Sequence, residues 1–166
     1  MEKKAEVLVV MGSRSDLPVM ENCLAQLKEL DIPFMVRVLS AHRTPDAVLE
    51  FSKNAKKEGI KVIIAAAGGA AHLAGVLASS TTLPVIGIPM QTSALGGMDS
   101  LLSTVQMPAG VPVATVAIGK AGAKNAAILA GQILALSDPE MDKRMQEMKA
   151  AQREAVLEGS ILEDYQ

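Results

Sequence analysis

Aromatic side chains are almost missing from this chain: two Phe, one Tyr and no Trp make up 2% of its residues. With so little to stack on a flavin or an unpaired base, a ligand must be held by backbone groups, small side chains and charges. Cysteine is as scarce. Cys23 stands alone, which rules out an internal disulfide framework and points to a reducing compartment. It sits mid-helix with no catalytic partner nearby and reads as a buried small hydrophobe. The net charge is only −2, so no basic footprint exists for nucleic acid or an anionic membrane. No apolar run approaches the ~18 residues of a membrane span. The opening Met1-Glu-Lys-Lys-Ala-Glu6 runs into a strand without a signal-peptide core, and a cytoplasmic protein is expected.

What is present is a core. Hydrophobic residues form 49% of the 166 and charged residues 20%, the balance of a globular chain, here taken as one domain over 1–166. Ten Met can fill its irregular gaps. Short apolar runs alternate with helical patterns. Strands are expected at Val7–Met11, Phe34–Leu39, Lys61–Ala66, Val85–Ile88 and Val113–Ile118. Between them lie helices from a cap at Ser15 or Asp16 to Leu30, from Pro45 to a terminating Gly59, over His72–Ser80, over Asp99–Gln106 and over Ala121–Ala135. Such βα alternation predicts a three-layer, doubly wound, flavodoxin-like α/β domain with a parallel sheet of about five strands. A last helix, 138–158, carries Met141, Met145 and Met148 in a narrow stripe. It either folds back on its own domain or packs against another subunit.

The unusual residues follow the strands. In open parallel sheets, ligands bind beyond the carboxyl ends of the strands, which places all five loops on one edge. Gly12-Ser13-Arg14-Ser15-Asp16 is equally suited to capping a helix and to approaching an anion, and Asp16 suits ribose hydroxyls better than phosphate. Ser40-Ala41-His42-Arg43-Thr44-Pro45 brings together a side chain able to transfer protons at neutral pH, a permanent cation and a helix start, with Thr44 as N-cap and Pro45 at the first position. His72 follows Gly68-Gly69. A packed, hydrogen-bonded histidine is the ordinary reading there, and Gly-Gly suggests close approach of ligand or backbone. The two histidines lie thirty residues apart with no Cys or Glu at ligand spacing, so no metal site is expected.

Taken together, Met11–Asp16, Ser40–Asp46, Ala67–Leu73, Asp99–Pro108, Val113–Gly119 and Ala121–Ala126 resemble, in order, the N5-carboxyaminoimidazole ribonucleotide mutase family of purine synthesis. The resemblance implies interconversion of N5-carboxyaminoimidazole ribonucleotide and 4-carboxy-5-aminoimidazole ribonucleotide without metal, ATP or organic cofactor. It implies His42 as catalytic acid and base, with Ser13 and Arg43 at the ribonucleotide phosphate, Asp16 at the ribose and Ser15 assisting. Ser40, Gly68 and His72 complete the implied pocket, His72 as an orienting or proton-transferring residue. A homo-octamer with sites at subunit interfaces is implied as well, and as a functional partner the ATP-dependent synthetase that makes the substrate.

Three positions depart from the family pattern. Ala66 stands where glycine is usual, so a positive φ there is doubtful; Ala74 replaces a common proline and Leu17 a frequent aromatic. The related class II carboxylases, which use free CO2, typically carry Lys after the histidine, and Arg43 with Gly68-Gly69-Ala70-Ala71-His72 favours the mutase. A non-catalytic flavodoxin-like module is the different-class alternative. It lacks both aromatic residues to flank a flavin and an acceptor Asp after the third strand.

Overall fold

Each strand buries alternate residues on opposite faces, and that parity organises the computed structural model, which describes residues 4–160. Five parallel strands, β1 (Val7–Met11), β2 (Phe34–Val38), β3 (Val62–Ala67), β4 (Val85–Pro89) and β5 (Ala114–Thr115), lie in the order β2-β1-β3-β4-β5. This is the expected doubly wound sheet, with its switch point between β1 and β3. Val7, Val9, Met11, Val62, Ile64, Ala66, Ile86 and Ile88 face one side and meet α1 (Leu17–Glu29), α5 (Lys120–Ala135) and α6 (Pro139–Glu158). Leu8, Val10, Ile63, Ala65 and Val85 face the other, under α2 (Pro45–Ala55) and α3 (Leu73–Ala78).

α5 has low amphipathicity by sequence because it is buried on more than one side. Ala123, Ala126, Ala127, Ala130 and Gly131 let it approach α1 and α6 closely, while Gly122 lies against the Ala117 backbone. The methionine stripe of α6 is used inside the chain: Met141 and Met145 are buried in the core and Met148 packs against it. Arg144 Nη1 donates to Leu30 O at 2.8 Å, tying α6 to the end of α1. From Lys149 to Glu158 the helix is exposed all round.

Several boundaries differ from expectation. The helix cap lies upstream of Asp16: Ser13 caps a 3-10 turn, Arg14–Asp16, its side chain accepting from the Ser15 amide while Asp16 accepts from the Ser13 amide. That reciprocal pair is a capping box. Thr44 holds the expected N-cap position of α2 with Pro45 opening the helix, but its side chain makes no capping bond. Its hydroxyl instead bonds both the amide and the carbonyl of Ser40, closing the turn that carries His42. β5 is two residues long rather than the expected Val113–Ile118: Pro112 before it has no amide to donate, and past the Val116 amide, which bonds Gly87 O, the next bond back to β4 is from Gly119 N to Pro89 O. Gly59 does terminate the α2 segment: at φ +95° it lets Gly59 N bond Lys56 O and Ile60 N bond Ala55 O. Ala66 lies within β3, buried and without positive φ, so alanine fits where glycine is usual.

Candidate active site

The loops after β1, β2, β3 and β4 surround one cleft of ≈ 320 Å³ at the switch point. Ser13, Ser15, Asp16, Ser40, His42, Arg43, Gly68 and His72 all line it, although they come from three separate stretches of sequence. The fifth loop, Gly119–Gly122, does not. β5 lies on the far side of β4, and Gly119 is spent on a bond to Pro89 O.

At the centre, His42 Nε2 and His72 Nδ1 are 2.7 Å apart, with their rings nearly perpendicular at 82°. At that distance one nitrogen carries the hydrogen and the other accepts it, so each ring fixes the tautomer of the other. Both imidazoles are otherwise exposed to the cleft. His42 is presented by the Thr44-closed turn; His72 stands at the N-terminus of α3.

Arg43 reaches across from this turn to the first loop. Its Nε donates to Ser40 Oγ at 3.3 Å and Nη2 to Gly12 O at 3.3 Å. Those bonds hold the guanidinium over the β1 loop, and among the described residues Nη1 has no acceptor. Beside it the hydroxyls of Ser13 and Ser15 are 2.7 Å apart. Asp16, half-buried next to them, has its carboxyl pushed above the usual range by desolvation, an effect partly offset by the Ser13 amide it accepts from. One cation and two hydroxyls thus gather at the β1 loop, with a carboxylate next to them and the paired imidazoles in the same cleft. Ala67, Gly68 and Ala70 form a wall with almost no side chain.

Met90, Gln91 and Thr92, in the loop after β4 that was expected on this edge, also line the cleft, although the sequence assigned none of them a role. Their place after β4 was the available signal. Cys23 takes no part: it is fully buried, and burial pushes its thiol up to about 12. Among the described residues, no three His, Cys, Asp or Glu side chains are grouped to hold a metal ion.

The AIR carboxylase family model matches residues 6–155, nearly the whole chain and every loop of the cleft. The chain belongs to the AIR carboxylase family. Within that family it is 55% identical to the N5-carboxyaminoimidazole ribonucleotide mutase of Bacillus subtilis (92% of this chain, 94% of the relative). It is 53% identical to the mutase of the same name from Escherichia coli K12 (93% and 92%). The crystal structure of Treponema denticola PurE superposes with a TM-score of 0.83 at 28% identity, covering 92% of this chain and 94% of that one. The flavodoxin-like layering is therefore that of an AIR carboxylase domain. No helix among the described residues is long and apolar enough to cross a membrane.

Proposed function

We infer that this chain is an N5-carboxyaminoimidazole ribonucleotide mutase, an isomerase of purine biosynthesis acting on a small ribonucleotide in the cytoplasm. The observation that carries the mechanism is the 2.7 Å contact between His42 and His72 at the foot of a small-walled cleft. His42 serves first as acid. Protonating N5 breaks its bond to the carboxyl carbon and releases CO2 into the cleft. The enamine-like C4 of the aminoimidazole then attacks that CO2. His42, now a base, removes the C4 proton and restores the aromatic ring. His72 orients His42 and sets which nitrogen bears the hydrogen.

Arg43 and the Ser13–Ser15 hydroxyl pair suit the phosphate, with Ser40 as the anchor of Arg43. Asp16 suits the ribose hydroxyls. The Ala67-Gly68-Ala70 wall leaves room for CO2 without offering it polar partners.

Retaining CO2 needs a closed site, yet both imidazoles are exposed in the single chain. We assign the closure to further copies of the chain, in an octamer. Support comes from the exposed apolar side chains of Leu95, Met98, Leu102 and Val105, on α4 and just before it, of Leu136 before the tail helix, and of Val156 and Leu157 within it.

One assay series tests this reading. The protein is expected to convert the N5-carboxylated ribonucleotide and to show little turnover of aminoimidazole ribonucleotide with bicarbonate. The reverse preference would make it a carboxylase using free CO2. His42→Asn is expected to lower kcat by about 10³-fold or more while ribonucleotide binding persists; near-normal turnover would remove His42 from the chemistry.

A further inference from the structure

We propose that Ser100 and Ser103, on the inner side of α4 (Met98–Val105), are positioning residues for the carboxyl transfer. They grip Gly69 by its N–H and its C=O and so set the Gly68 wall and His72. The inference rests on the mutase reading above.

Gly69 has φ +68°, yet a Cβ there would meet nothing within 4 Å. Glycine is demanded by the dihedral rather than by space. Hydrogen bonds hold the peptide groups on either side of it. The Gly69 amide donates to Ser100 Oγ at 3.0 Å, and Ser100 is fully buried. The Ser103 hydroxyl is 3.2 Å from Gly69 O and 2.6 Å from Asp99 O. One hydrogen cannot serve both acceptors fully, so Ser100 is the stronger grip.

From Gly69 the chain reaches His72 through two short turns, Ala71 N to Gly69 O at 2.8 Å and His72 N to Ala70 O at 2.9 Å. The orientation of residue 69 is therefore passed to His72 and, across the 2.7 Å contact, to His42. Ser100 also stands behind the wall, since a Cβ on Gly68 would lie 3.8 Å from its Oγ. Neither serine lines the cleft, so both act on the reactants only through this loop. The same helix steadies the loop after β4: Thr92 Oγ1 donates to Asp99 Oδ1 at 2.7 Å.

The test compares the intact wild-type protein with Ser100→Ala and Ser103→Ala by three readouts. These are amide exchange over residues 68–72, kcat and KM for the N5-carboxylated ribonucleotide, and the fraction of substrate lost as CO2 plus unmodified aminoimidazole ribonucleotide. Ser100→Ala is expected to speed exchange at Gly69, lower kcat about tenfold with KM changed by no more than about twofold, and raise the lost fraction. Ser103→Ala should move all three in the same direction by less. A folded Ser100→Ala protein with wild-type exchange, kcat and loss overturns the proposal. So does a lowered melting temperature with unchanged kcat and unchanged loss. Should Ser100→Ala not fold, Ser103→Ala decides on the same readouts. A wild-type protein unable to convert the substrate would defeat the mutase reading alone, because the exchange measurement judges the grip without any turnover.

Discussion

Asp16 is the residue at which the cleft acts against the fold. Burial raises its carboxyl pKa above the unfolded value, so the native state keeps a proton that the unfolded chain has already lost. Its support for the fold is complete below the ordinary carboxylate range and is lost as pH rises through the raised value. Asp16→Asn keeps an acceptor for the Ser13 amide and carries no charge. Its stability relative to wild type is therefore expected to increase from pH 3 to pH 7, as read by urea denaturation at each pH. Because Asp16 is only half-buried, the gain should be modest. KM for the ribonucleotide should rise about tenfold as charge-assisted bonds to the ribose weaken. A stability difference independent of pH would show that the charge is not what costs. His42 and Arg43 were legible as a pair because their types announce chemistry. The contact between His42 and His72 was not, since the two lie thirty positions apart and a sheet crossover decides it.

Among the elements, β4 carries at Gly87 a position against which three neighbouring side chains pack closely. A Cβ at Gly87 would overlap Thr104 Cγ2 and lie 2.9 Å from Val113 Cγ1 and 3.3 Å from Ala74 Cβ. Thr104 is β-branched and buried, so it cannot swing aside. Gly87→Ala is expected to cost about 1–3 kcal/mol by overpacking, measured by denaturant titration. By contrast Ala74, where proline is common in the family, is buried in the first turn of α3 without strain. The strands and most helices could be read from periodicity, capping residues and glycines. The length of β5 could not, because where its pairing with β4 breaks off is a property of the sheet rather than of the run Val113–Ile118. Nor could the role of α4: its serines look like ordinary helix-surface residues until Gly69 is seen against them.

For the whole molecule, the tail helix has two halves with different surroundings. Met141 and Met145 belong to the chain's own core, so removing all of α6 would open it. Truncation after Met148 removes, among the described residues, only exposed ones. That shorter chain is expected to keep its fold by circular dichroism and to sediment as a smaller assembly than the full chain. An unchanged sedimentation coefficient per protomer mass would assign assembly to the α4 side alone. The layered architecture was legible from βα alternation. The fate of the methionine stripe was not, since a narrow apolar stripe fits a neighbouring subunit as well as its own sheet.

The two faces of the sheet also differ in when they become complete as the chain is made. The buried residues beneath α2 and α3 run only from Leu8 to Val85, whereas the opposite core draws on everything from Val7 to Met145. One layer can thus close on the ribosome while α5 and α6 are still unmade, consistent with folding during synthesis. α6 is then the closing piece, and a ribosome stalled before Met141 would hold a chain sealed on one face and open on the other.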